Sequence, residues 1–267
     1  MKNFTFLTSL PRTANTVIGS IINSNKNIKA TANSVLPGII YDINNMKNTD
    51  NFKNFPDHKS FDNVTKSLIQ TYYKDWPQDY IIDRNPWGFP INLKFLKRVQ
   101  EDIRIIVLVR DVEEILASFI KWSEKEPTSF VNQYEAKTIE EKCDMLMKTD
   151  GQIVKELIGV KHLLDHQPKE MYHIVEYNDL CDNPKQTIEG IYDFLGIYRF
   201  NHRYINLDQF YVNGMKYDDK IVGEGLHTIE TNSINSNNYN EFKENVNDIL
   251  PKSIIEKYNN LNFWKGK

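Results

Sequence analysis

Residues 5–20 read TFLTSLPRTANTVIGS, a short apolar strand that runs through a small polar turn into an apolar helix. Leu10, Pro11, Arg12, Thr13, Ala14, Asn15 and Thr16 make up the turn. A turn that opens a helix leaves several backbone N–H groups unpartnered and adds the positive end of the helix dipole, so an anion is favoured there. Arg12 brings a full charge with forked geometry, and Thr13, Asn15 and Thr16 can donate to phosphate oxygens. Taken alone, the segment is better read as an ordinary strand-to-helix connection with Thr as its N-cap.

A second copy of the pattern tips the reading toward the anion. Residues 103–109, IRIIVLV, predict a buried parallel strand, and Arg110 stands at its carboxyl end. In the helix that follows, Asp111, Glu113 and Glu114 fill the first turn, while Val112, Ile115, Leu116 and Phe119 form an apolar face. Ser118 lies eight residues after Arg110. Ligands of open parallel sheets bind beyond the carboxyl ends of the strands, so Arg12 and Arg110 face one crevice if their strands are close. Two anion sites in one crevice predict a ligand with two separated phosphates.

Strand and helix alternate along the rest of the chain without internal repeats, which predicts an α/β fold, a central parallel sheet flanked by helices. Residues 80–83 predict a short buried strand and residues 84–88 the loop leaving it; residues 34–45 predict a helix with an irregular start at Pro37 and Gly38. The polar stretch 44–60 is expected to be mobile, a candidate lid before a helix over 61–73. Helical spacing recurs over 138–166 with a break near Gly151, a strand is expected over 171–175, and a helix over 184–195 with Pro184 in its first turn. The tail, about residues 238–263, is expected to be an amphipathic helical segment covering the core of one domain, 1–267. Trp87, Phe89, Tyr72 and Tyr73 are read as packing rather than as an acceptor pocket.

Composition narrows the function classes. A net charge of −3 over 267 residues and a pI near 6.1 give no global pull toward nucleic acid or an anionic membrane, so local basic side chains must hold any anion. Cys143 and Cys181 sit in no motif and fit a reducing cytosol. No apolar run approaches the roughly 20 residues of a membrane span and the first residues do not read as a signal peptide, which together predict a cytoplasmic protein. Nothing matches the ATP-binding pattern G-x-x-x-x-G-K-[ST], and no tight His/Cys/Asp cluster predicts a metal.

Three segments carry a resemblance to the sulfotransferases that use 3′-phosphoadenosine 5′-phosphosulfate (PAPS). Residues 10–16 resemble the family's 5′-phosphosulfate loop, P-[KR]-[ST]-G-[ST]-[ST]. Residues 107–110 with Ser118 resemble its 3′-phosphate motif. Residues 175–180 (VEYNDL), followed by Asn183-Pro184 and residues 191–196 (IYDFLG), resemble its third block, whose Tyr lies near the adenosine. The likeness spans residues 4–197 and implies a P-loop-like sulfotransferase fold. It also implies that Arg12, Thr13, Ala14, Asn15 and Thr16 hold the 5′-phosphosulfate, that Arg110 and Ser118 bind the 3′-phosphate, and that Tyr177 borders the adenosine. The product would be adenosine 3′,5′-bisphosphate (PAP), and no metal would be needed. Residues 216–227 (KYDDKIVGEGLH) resemble the Gly-containing basic loop that closes over the cofactor, with Lys220, Gly223, Gly225 or His227 as its contacts. The chain departs from the pattern by offering Ala14 or Asn15 where the family's loop has Gly.

Sulfuryl transfer to a hydroxyl needs in-line attack, a base for the hydroxyl proton, and positive charge on the loosening bond. Arg84 stands where the family supplies a Lys or His; it can stabilise charge but stays protonated, so it is no base. Asp83 beside it and His58 in the expected lid are the candidate bases. The expected activity is sulfuryl transfer from PAPS to a hydroxyl, or less favoured an amine, of a small molecule or saccharide, with no nucleic acid or membrane partner. A nucleotide phosphotransferase or hydrolase on a related fold, and a catalytically silent PAPS-binding module, are the alternatives.

Overall fold

The computed structural model describes residues 2–208, 210–221, 223–227, 229 and 239–267. Five parallel strands form the central sheet: β1 (Asn3–Ser9), β2 (Ile28–Ala30), β3 (Tyr80–Arg84), β4 (Ile105–Val109) and β5 (Tyr172–Glu176), in the order β2-β3-β1-β4-β5. Strand β4 is buried along its whole length because both faces are covered. Its alternation sorts the side chains: Ile105, Val107 and Val109 join Phe6 and Ile81 in one core, while Ile106 and Leu108 join Leu7, Ile82 and Val175 in the other. The first core is closed by helices α4 (His58–Tyr72), α5 (Pro90–Val99), α6 (Val112–Lys125), α7 (Ile139–Leu146) and α8 (Gln152–His166). The second is closed by α1 (Asn15–Asn23), α9 (Tyr177–Asp182) and α10 (Pro184–Leu195). Trp87 and Tyr73 are fully buried in the first core, as packing residues should be.

Residues 44–60, the candidate lid, are largely helical. Helix α2 (Leu36–Met46) runs into it, and α3 (Asp50–Asn54) and the start of α4 occupy the remainder. Two of its polar residues serve as caps: Thr49 accepts from the Phe52 N–H and Asp57 from the Ser60 N–H. Strand β2 was not anticipated, because three residues are too few to show alternation. The break between α7 and α8 does fall at Gly151, where a Cβ would lie 2.4 Å from the Leu146 carbonyl oxygen.

Beyond the sheet, a two-stranded antiparallel ribbon, β6 (Tyr211–Val212) and β7 (Met215–Lys216), precedes the loop over the sheet edge. In place of one amphipathic helix the tail holds two short ones, α11 (Val246–Ile249) and α12 (Lys252–Tyr258), separated at Pro251; the first expected tail residue, Asn238, lies outside the described residues. Leu250, Ile254, Tyr258 and Trp264 carry this tail into the core. Register places the functional loops: Leu7 pairs with Arg84, Ser9 with Leu108 and Val109 with Glu176, so β1, β3, β4 and β5 end at one edge of the sheet.

Candidate active site

A cavity of about 670 Å³ opens at that edge. Residues of the β1–α1 turn, Arg84, Arg110, one face of α6 and Tyr177 line it, and Leu226, His227 and Glu244 close it from the C-terminal side. Arg12, Thr13, Ala14, Asn15, Thr16, Arg84, Arg110, Ser118 and Tyr177 are therefore brought together, from the ends of β1, β3, β4 and β5 and from helices α1, α6 and α9.

The turn before α1 is wound by two residues with positive φ, Arg12 at 60° and Ala14 at 57°. Ala14 is the residue that stands in the left-handed conformation a glycine would favour. Among the described residues no side chain caps α1, and the first helical bond runs from the Ile18 N–H to the Ala14 carbonyl at 3.0 Å. The N–H groups of Asn15, Thr16 and Val17 thus precede the helical ladder, on residues that line the cavity. The Thr13 hydroxyl is committed to the Leu10 carbonyl at 2.9 Å, which tightens the turn.

Arg12 does not stand apart from the second motif. Its Nε donates to Ser118 Oγ at 3.0 Å, and its own carbonyl accepts from Arg110 Nη1 at 2.9 Å. Its Nη1 donates to the Leu226 carbonyl, which ties the C-terminal loop down over the turn. Burial, then the charge of Arg110, lowers the Arg12 guanidinium to about 10. Arg110 is 4% exposed and fully engaged: Nε faces Glu114 at 3.3 Å, Nη2 donates to Glu244, and the guanidinium carbon lies 3.7 Å from the centroid of the Tyr177 ring. Burial works against its charge, but Tyr177, Glu244 and Glu114 outweigh it and raise its pKa. Glu114 is four residues beyond Arg110 on α6, a pair visible in the sequence; Glu244 is not.

Across the cavity, Arg84 has no hydrogen-bonding or ion-pairing partner for its guanidinium among the described residues, and burial lowers it to about 10. Glu156 on α8 lines the same wall; burial pushes it up to about 7, against the pull of Arg84. His227 is held by Asp219, whose carboxylate accepts from the ring Nδ1 at 2.9 Å and from the His227 backbone N–H at 3.0 Å. Burial first, then Arg84 and Arg12, keep this imidazole below its ordinary value despite Asp219. The loop between them turns on Gly225, at φ 75°, and passes Trp122 so closely that a Cβ on Gly223 would sit 3.0 Å from the ring.

Neither expected base reaches the cavity. Asp83 is fully buried beneath it, accepting from Tyr73, from Asn85 at 2.8 Å and from Trp87 at 2.9 Å, so it pins the β3 loop. His58 is an exposed residue in the first turn of α4, edge-on to Phe52. Lys220 is exposed too, 3.9 Å from Glu224, and does not line the cavity. Residues the sequence reading did not single out, Lys121, Trp122, Lys125, Phe130, Gln152 and Glu156, form the outer wall. Helical spacing could have found part of this wall: Ser118, Lys121 and Lys125 follow one face of α6, as Gln152 and Glu156 do on α8. Among the described residues no group of three or more His, Cys, Asp or Glu could hold a metal ion, and no helix is long and apolar enough to cross a membrane.

A model of the sulfotransferase family matches residues 5–201, well over half of the chain. No curated protein matches by sequence. Among solved structures the chain is similar to a sulfotransferase from Alicyclobacillus acidocaldarius, at 12% identity over 74% of this chain and 83% of the other, TM-score 0.48. It is also similar to a mouse sulfotransferase complexed with PAP, at 14% identity over 75% and 61%, TM-score 0.49. The sulfotransferase domain of the Synechococcus PCC 7002 olefin synthase matches at 14% identity over 100% and 90%, TM-score 0.49.

Proposed function

Because the chain belongs to the sulfotransferase family, we propose that it transfers a sulfuryl group from PAPS to a hydroxyl of a small-molecule or saccharide acceptor. The observation that carries this reading is the shared cavity of two anion-binding constellations, the uncapped start of α1 and the Arg110–Ser118 pair, with Arg12 bridging them. One nucleotide with phosphates at two positions matches two such sites.

In this reading the N–H groups of Asn15, Thr16 and Val17 and the Thr16 hydroxyl hold the 5′-phosphosulfate. Arg12 faces the leaving phosphate, where its charge offsets the negative charge that builds up as the sulfur–oxygen bond loosens. Arg110 and Ser118 take the 3′-phosphate, and Tyr177, stacked on Arg110, borders the adenosine. The acceptor enters past Lys121, Lys125 and Glu156, and Arg84, beside Glu156, faces the sulfuryl oxygens. A donor set of amides, hydroxyls and guanidiniums suits an anion without a metal.

Calorimetric titration with PAP in the absence of magnesium tests the donor. The reading expects binding without magnesium, and in competition with ATP, preference for PAP; binding of ATP that requires magnesium favours a phosphotransferase instead. Transfer of labelled sulfate from PAPS across a panel of phenols, alcohols and sugars tests the reaction.

A further inference from the structure

We infer that His227, oriented by Asp219, is the general base that takes the acceptor's hydroxyl proton. This rests on the sulfotransferase reading and fills the role that Asp83 and His58 cannot. Three features converge on the ring. A carboxylate can only accept, so the 2.9 Å contact with Asp219 makes Nδ1 the protonated nitrogen and leaves the lone pair on Nε2. Among the described residues Nε2 has no hydrogen-bond partner, in a side chain that lines the cavity. The neighbouring Leu226 carbonyl is bonded by Arg12, which fixes the ring close to the guanidinium that faces the leaving phosphate.

The groups facing the ring are Asp219, the Tyr217 hydroxyl 3.3 Å from Nδ1, Arg84 and Arg12. Two cations against one carboxylate favour the neutral ring, the form a base requires. Glu156 is another titratable group lining the cavity, but among the described residues Arg84 is the charge that acts on it and none hydrogen-bonds it. In the step, the acceptor oxygen bonds to sulfur while its proton passes to Nε2. The bond from sulfur to the bridging oxygen breaks, and its electron pair stays on the 5′-phosphate of PAP. The imidazolium, held by Asp219, then releases its proton to water.

The full-length chain is tested with PAP, then with PAPS and p-nitrophenol as the probe acceptor. In 1H–15N spectra the His227 signals, assigned by their loss in His227→Gln, are expected from the Nδ1–H tautomer. Saturating PAP should raise the ring's pKa by about one unit, because an anion arrives beside Nε2. In turnover, His227→Gln should lower kcat by about 100-fold or more, with the Kd for PAP within about threefold of wild type, and Asp219→Asn should lower kcat by about tenfold. A ring pKa that PAP leaves unchanged, or wild-type kcat in His227→Gln, overturns the inference while the donor reading stands. Loss of PAP binding in His227→Gln overturns it as well, by making the ring a nucleotide contact. Where p-nitrophenol is not an acceptor, the spectra decide alone. A wild-type chain that does not bind PAP overturns the donor reading itself.

Discussion

Arg110 and Arg84 share one cavity and face opposite electrostatic situations. Arg110 is matched by two carboxylates and an aromatic face, and its pKa is raised. Arg84 meets no carboxylate at ion-pair distance among the described residues, and Arg12 likewise; both are lowered to about 10. Burial disfavours each of the three charges, so the difference lies in what surrounds them. The chain balances its own charge at the Arg110 end and leaves positive charge unmet at the Arg12 and Arg84 end. An incoming anion therefore gains most beside Arg12 and Arg84, whereas at Arg110 it competes with Glu244.

The sharpest way to break this contrast is to neutralise each cation in turn. Arg110→Met should destabilise the protein by about 3–5 kcal/mol, the cost of stranding a buried carboxylate, and weaken PAP binding more than about 100-fold. Arg84→Met should leave the melting temperature unchanged or raise it while abolishing transfer. Equal losses of stability in the two variants, measured by denaturant titration, would remove the distinction.

Glu156 sharpens it through pH. Burial raises this carboxyl from 4.5 to about 7, so the folded state holds the proton more tightly than the unfolded chain. Its contribution is full below about pH 4.5 and is lost as pH rises to about 7. At about 1.4 kcal/mol per unit, reduced for access from the cavity, the loss is on the order of 2 kcal/mol. Glu156→Gln should flatten the fall in melting temperature between pH 5 and 8, and an unchanged slope would show that Arg84 already satisfies this group.

Two smaller effects test the ends separately. Glu244→Gln removes the carboxylate that competes for Arg110, so PAP should bind up to about tenfold more tightly, about 1.4 kcal/mol, while adenosine 5′-monophosphate should be unaffected. Tightening of both nucleotides would place Glu244 away from the 3′ end. Ala14→Gly relieves a left-handed alanine but loosens the unfolded chain, for a net gain of about 0.5 kcal/mol, read as a rise of about 1–2 °C in melting temperature.

Strands β1, β3, β4 and β5 were legible to within two residues, because each is an apolar run bounded by polar turns, and the β1–α1 turn was legible as an anion site because its chemistry is local. The helices within residues 44–60 were not legible because capping residues and loop residues are the same types; only the helices they cap distinguish them. Asp83 and His58 were chosen by their nearness to Arg84 and to the expected lid, and neither faces the cavity. The Asp219–His227 pair lies within the loop whose resemblance to a cofactor lid was noted, yet no local pattern announces that its ends meet.

The sequence by itself determined the parallel sheet, the two arginine-bearing strand ends and the family, because hydrophobic period and short motifs act over a few residues. The tertiary structure alone decided which arginine is neutralised and which is left unmet. It brings Glu244 to Arg110 across 134 residues and Leu226 to Arg12 across 214. Charge balance in a buried site depends on distance in space, and separation along the chain carries no information about it.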